Sequence, residues 1–198
     1  APHPEGWFLP ETYAYTADDD AFTVLQRAYD AMQTALDAAW AARLDGLPLD
    51  SPYEMLILAS IVEKESALAS ERPDIAGVFV RRLQQNWRLE TDPTVIYGLG
   101  ETYQGDIRRQ DLKTDTPYNT YTRHGLPPTP IALAGLAALQ AAAHPAGGGF
   151  YDLAHNRFPR VDEVFGGHTW QRAVPPDTYF ESHPEYFALI NGQRLNPG

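Results

Sequence analysis

Apolar residues near the start of the chain recur every three or four positions: Phe22, Leu25, Tyr29, Met32, Leu36 and Trp40. That spacing predicts one face of a helix. The acidic run Asp18–Asp20 predicts its beginning, because carboxylates suit a helix N-terminus. Gly46 and Pro48 mark its end region. A second helix has the clearest start. Ser51 and Glu54 form a capping-box pattern and Pro52 takes the first helical position, so the body runs from Tyr53 to about Ser66. Ser70 is read as the cap of a third helix, with Pro73 in its first turn and Ile75, Val78, Phe79 and Leu83 as its apolar face. Asp92-Pro93 opens a short fourth helix to Tyr97, which Gly98 and Gly100 can end. Residues 101–128 read as loop with short pieces of structure. Thr129-Pro130 then opens an Ala-rich fifth helix that stops near His144-Pro145. Before these helices, Glu5–Tyr15 is aromatic and extended in character. After Gly147–Gly149 the pattern weakens, with strand expected around Phe150-Tyr151 and His168–Trp170. The expected architecture is a helix-rich α+β fold, a single domain over residues 1–198.

Composition narrows the function. Hydrophobic residues are 43% and charged residues 21% of 198, which fits one globular domain with a sizeable core. The net charge is −11 and no basic cluster stands out, so neither nucleic acid nor an anionic membrane surface is an expected partner. The apolar runs Met55–Val62 and Ile131–Ala143 both fall short of the roughly 18 residues a membrane span needs. The opening Ala-Pro-His-Pro-Glu has no start Met and no signal-peptide character, and reads as an excised or mature fragment. There are no cysteines, and the six histidines are scattered without ligand spacing, so no metal is expected. No phosphate-binding loop, dinucleotide fingerprint or nucleophile elbow appears, and no cofactor is expected.

The second helix carries the chemistry. At about 100° per residue, Met55, Leu58, Ile61 and Val62 share its main apolar side. Glu65 follows Leu58 by seven residues, Ile61 by four and Val62 by three, so it projects from that side near the helix end. Glu63 lies on roughly the opposite side, and Lys64 is also turned away. Desolvation of a carboxyl on a core-facing stripe raises its pKa. A carboxylic acid still protonated near neutral pH is the general acid that glycosidic cleavage needs. The same pattern also fits a glutamate that pairs with an arginine or caps a backbone donor.

The run Ala59-Ser60-Ile61-Val62-Glu63-Lys64-Glu65-Ser66 resembles the active-site helix of the endolytic murein transglycosylases, the MltG or YceG-like family. Its closing Glu65-Ser66 is also similar to the Glu-Ser pair of lytic transglycosylases of lysozyme-like fold. Further segments resemble the family in order: Glu5-Gly6-Trp7-Phe8 with Pro10, Thr12 and Tyr13; Thr91–Gly98; Tyr118-Asn119-Thr120-Tyr121; Gly125–Pro128; and Gly166-Gly167-His168-Thr169. The resemblance implies Glu65 as the catalytic acid and base, on an active-site helix of the lysozyme and lytic transglycosylase kind. It implies a lyase cutting between N-acetylmuramic acid and N-acetylglucosamine within peptidoglycan glycan strands and leaving 1,6-anhydro ends. It also implies an extracytoplasmic enzyme, tethered to the inner membrane by an N-terminal helix and a small domain that this fragment lacks, with cell-wall synthases as possible partners. The fragment itself is expected to make no membrane contact. Beyond Pro145 the chain departs from the family pattern, with Gly147-Gly148-Gly149 and polar residues where an apolar strand is usual.

Within the matched loop, the amide of Asn119 and the phenols of Tyr118 and Tyr121 suit sugar N-acetyl and hydroxyl groups. An Asx-turn with the rings packed inward fits them as well. Thr91 and Asp92 read mainly as helix caps that could also touch substrate. Glu71 reads as a favourable helix-end charge, and His168 as a packing residue. Two other functions stay open: a hydrolytic muramidase, which would want a second carboxylate such as Asp92 or Asp115, and a glycan-binding scaffold that does not catalyse.

Overall fold

The computed structural model describes residues 4–146 together with Leu189–Ile190 and Gln193–Arg194. The chain divides into two compact units, Ala1–Ala146 and Gly147–Gly198. In the second, β1 (Leu189–Ile190) and β2 (Gln193–Arg194) pair antiparallel, with Leu189 opposite Arg194. The strands expected near Phe150 and His168, and the Gly166–Thr169 motif, lie outside the described residues.

In the first unit the regular elements among residues 4–146 are all helical. Helix α1 spans Ala21–Ala42, and the Asp20 side chain accepts from the Thr23 amide at 2.7 Å. Its Met32 and Leu36 are buried, whereas Phe22 and Leu25 at the same spacing are 72% and 51% exposed. Helix α2 (Pro52–Glu65) starts as expected: Ser51 Oγ accepts from Glu54 N at 3.3 Å. The returning Glu54 carboxylate takes the Asp50 amide at 2.6 Å. Helix α3 spans Arg72–Gln84, one residue after Glu71 rather than Ser70. Helix α4 spans Asp92–Leu99 and ends at Gly100, whose φ of +53° is left-handed.

The Ala-rich helix α5 is only Leu136–Ala143. The six residues after Thr129 stay irregular and are tied to α2 side chains. Ser60 Oγ, itself fully buried, accepts from Ile131 N at 3.0 Å, and Glu63 Oε2 accepts from Gly135 N at 3.0 Å. Pro130 is also pressed onto Gly6, where an added Cβ would lie 2.6 Å from the proline ring at a φ of +87°.

Helix α2 is the hub, packing against α5, α3, α1 and α4. Every residue from Met55 to Val62 is buried. The single apolar stripe expected for α2 is therefore a sleeve that runs all the way round. Among the described residues no helix is long and apolar enough to cross a membrane.

Candidate active site

Glu65 is the last residue of α2, where the helix leaves its apolar sleeve, and it is half-buried rather than enclosed. Ser66 is fully extended (φ −142°, ψ 135°), so the chain turns off the helix axis immediately after Glu65. The Thr91 hydroxyl donates to Glu65 Oε1. Lys64 is exposed. Glu63 is structurally paired: its Oε1 accepts from Arg72 Nη2 at 2.6 Å while Oε2 takes the Gly135 amide. With α2 buried all round, the side opposite Glu65 faces protein, and the glutamate there requires a cation.

Thr91 is the N-cap residue of α4, yet its side chain makes no capping bond to that helix. Its hydroxyl serves Glu65, and its backbone is fixed by two other threonines. Thr120 Oγ1 accepts from Thr91 N at 3.1 Å, Thr94 Oγ1 donates to Thr91 O at 2.7 Å, and the Thr94 and Thr120 hydroxyls meet at 2.8 Å. All three residues are at most 2% exposed. Just before them Glu90 has a φ of +52°, a left-handed conformation costly for a residue with a Cβ. Its carboxylate meets Arg82 Nη1 at 3.1 Å and its amide donates to Thr120 O at 3.1 Å, which holds the turn that presents Thr91.

The loop ahead of Thr120 is organised by Asn119, which is 1% exposed. Its amide donates to the carbonyls of Asp111, Leu112 and Thr114 at 3.2, 3.2 and 2.7 Å. Its Oδ1 accepts from Tyr121 N at 2.8 Å, the Asx-turn. Asn119 thus spends its hydrogen-bonding capacity on its own loop. The Tyr121 hydroxyl donates to Asp92 Oδ1 at 2.6 Å, one residue from the threonine that holds Glu65. Tyr118 stands apart: its ring meets Tyr97, at the far end of α4, at 4.8 Å, and its hydroxyl meets Thr129 at 2.9 Å. Burial pushes the Tyr97 hydroxyl pKa up, with Glu5 adding to the effect. Asp115 is exposed and lies against Arg123 at 2.9 Å; hydrogen bonds from Arg123 and Thr122 lower its pKa to about 2. A crevice of about 250 Å³ runs along Pro117–Thr120 and Arg123–Pro128, and Glu65 is not among the residues lining it.

The structure therefore joins Glu65 to Thr91, and Asp92 to Tyr121, with Thr120 linking the loop to Thr91. Sequence reading missed Thr94, Thr120, Glu90 and Arg72. Arg72 had a signal. A cation at the first position of a helix works against the helix dipole and calls for carboxylate partners nearby. Thr94 and Thr120 lie within the family-like segments, but a buried hydroxyl cluster leaves no periodicity to set them apart.

A sequence profile described as the YceG-like family matches residues 1–161. The chain belongs to the YceG-like family. Two relatives carry the name endolytic murein transglycosylase. The one from Bacillus subtilis is 35% identical over 144 residues, covering 72% of this chain and 39% of the relative. The one from Streptococcus pneumoniae is 31% identical over 144 residues, covering 70% of this chain and 25% of the relative. The chain thus spans well under half the length of these curated relatives. A crystal structure of a yceG-like protein from Listeria monocytogenes has a similar fold, with a TM-score of 0.63 at 32% identity. That likeness covers 79% of this chain and 52% of the Listeria protein.

Proposed function

We propose that this chain is the catalytic part of an endolytic peptidoglycan lytic transglycosylase, with Glu65 as its acid and base. One observation carries the reading: Glu65 ends the buried helix α2 with the Thr91 hydroxyl on its carboxyl group. The names of the two relatives supply the substrate class. The proposed reaction begins with protonated Glu65 giving its proton to the glycosidic oxygen as the bond from that oxygen to C1 of N-acetylmuramic acid breaks. The oxocarbenium-like sugar is then attacked at C1 by its own C6 hydroxyl, whose proton returns to the Glu65 carboxylate. The products are a 1,6-anhydro end and a free hydroxyl on N-acetylglucosamine, with no water consumed. Intramolecular attack gains from high effective molarity.

Thr91 orients the carboxyl group, Tyr121 with Asp92 borders the glycan, and Tyr118 meets more distant sugar rings. Asn119 shapes the loop rather than touching substrate, because its amide and carbonyl are occupied. A hydrolytic muramidase would draw on Asp92 or Asp115. Asp92 already accepts from Tyr121, and Asp115 is paired on the surface with its pKa lowered to about 2. The reading extends to one α+β catalytic domain over residues 1–198, with α2 an active-site helix of the lysozyme and lytic transglycosylase kind. It includes an extracytoplasmic location, an inner-membrane anchor in the whole protein and cell-wall synthases as neighbours.

The test is Glu65→Gln, which keeps the size of the side chain and the Thr91 acceptor. Cleavage of purified sacculi should fall by about 10²–10⁴-fold, the usual contribution of a general acid. Turnover equal to wild type would remove Glu65 from the reaction.

A further inference from the structure

We infer that Arg72 and Ser66 are positioning residues for Glu65, acting through a clamp that fixes where the chain leaves α2. This rests on the reading of Glu65 above. Glu65 is the final helical residue, so its direction depends on the two backbone segments beside it. Arg72 grips both. Its Nη2 donates to Glu63 Oε1 at 2.6 Å, two residues before Glu65, and its Nε donates to the Ser66 carbonyl at 3.3 Å, one residue after. The Ser66 hydroxyl closes the turn: it donates to Glu71 Oε2 at 2.6 Å and accepts from Leu68 N at 3.0 Å. Glu63 extends the clamp to the start of α5 through the Gly135 amide at 3.0 Å. Arg72 and Ser66 are each 9% exposed, so the clamp is largely buried.

The residue types follow from the geometry. A planar guanidinium can serve a carboxylate and a carbonyl with different nitrogens at fixed angles, which a lysine ammonium on a flexible stem does not reproduce. A carboxyl group that must give and recover a proton on one sugar ring tolerates little displacement, and a shift of about 1 Å can cost on the order of 10²-fold in rate.

Two variants of the 198-residue chain test this, with turnover normalised to the folded fraction from circular dichroism. Arg72→Lys should lower kcat by roughly 10- to 100-fold, with KM changed less than about threefold and the limb of the kcat–pH profile that depends on Glu65 displaced. A purely structural role would reduce the folded fraction and leave the normalised kcat and the position of that limb unchanged. Ser66→Ala removes one hydroxyl and no charge, and keeps the test decisive if Arg72→Lys does not fold. Its normalised kcat should fall about tenfold. Wild-type normalised kcat in either folded variant would overturn the inference. Wild-type activity and an inactive Glu65→Gln in the same assays would leave the proposed reaction standing, so the two failures are distinct.

Discussion

Thr91 stands at the N-cap position of α4, where a threonine would ordinarily cap its helix, and gives its hydroxyl to Glu65 instead. Thr91→Val preserves shape and removes only that donor. A hydrogen bond to a charged group contributes about 1.5–3 kcal/mol. If most of that is felt in the transition state, kcat on glycan strands should fall by roughly 10- to 100-fold, with the circular dichroism spectrum unchanged. Wild-type kcat in a folded Thr91→Val would show that the contact is structural. At this scale the sequence was informative about Glu65 and less so about its companions. Motif and place near the helix end singled out Glu65, but spacing alone did not separate it from Glu63, because the apolar side is a sleeve that runs all the way round. Sequence could not distinguish a groove asparagine from an Asx-turn asparagine at position 119, because both call for the same residue in the same kind of loop. The three carbonyls around its amide support the second reading.

Elements were legible where local chemistry alone controls them. The caps at Asp20 and Ser51 and the left-handed stop at Gly100 follow from residue type, and α1, α2 and α4 begin or end there. Where another element supplies the hydrogen-bond partner, local reading failed. Helix α5 starts at Leu136 rather than Thr129, and Glu63 of α2 takes the Gly135 amide that the longer helix would have bonded internally. Helix α1 shows the converse: its periodicity is regular throughout, while its first two turns meet little protein and leave Phe22 and Leu25 exposed. Ser60→Ala should therefore cost more than a lost hydroxyl in an ordinary helix. The buried Ile131 amide would keep no acceptor in its present position, a cost of about 1–3 kcal/mol read as a lowered urea midpoint. An unchanged midpoint would mean that the 130–135 segment holds its path without α2.

For the molecule as a whole, the hub arrangement and the site share one cause. An α2 buried on all sides gives its last residue a fixed base, and α3, α4 and the 117–128 loop bring Arg72, Thr91 and Thr120 to bear around that end. Family membership was legible from ordered motifs, of which those between Glu5 and Pro128 lie in the first unit. In the proposed reaction the substrate's own hydroxyl, rather than water, completes the step begun by Glu65. Mass spectrometry of fragments released from purified sacculi tests it most directly. The expected products carry 1,6-anhydro-N-acetylmuramic acid ends, each lighter by one water than a hydrolysed end and absent from the Glu65→Gln digest. Fragments ending only in reducing N-acetylmuramic acid would contradict it and establish a hydrolase.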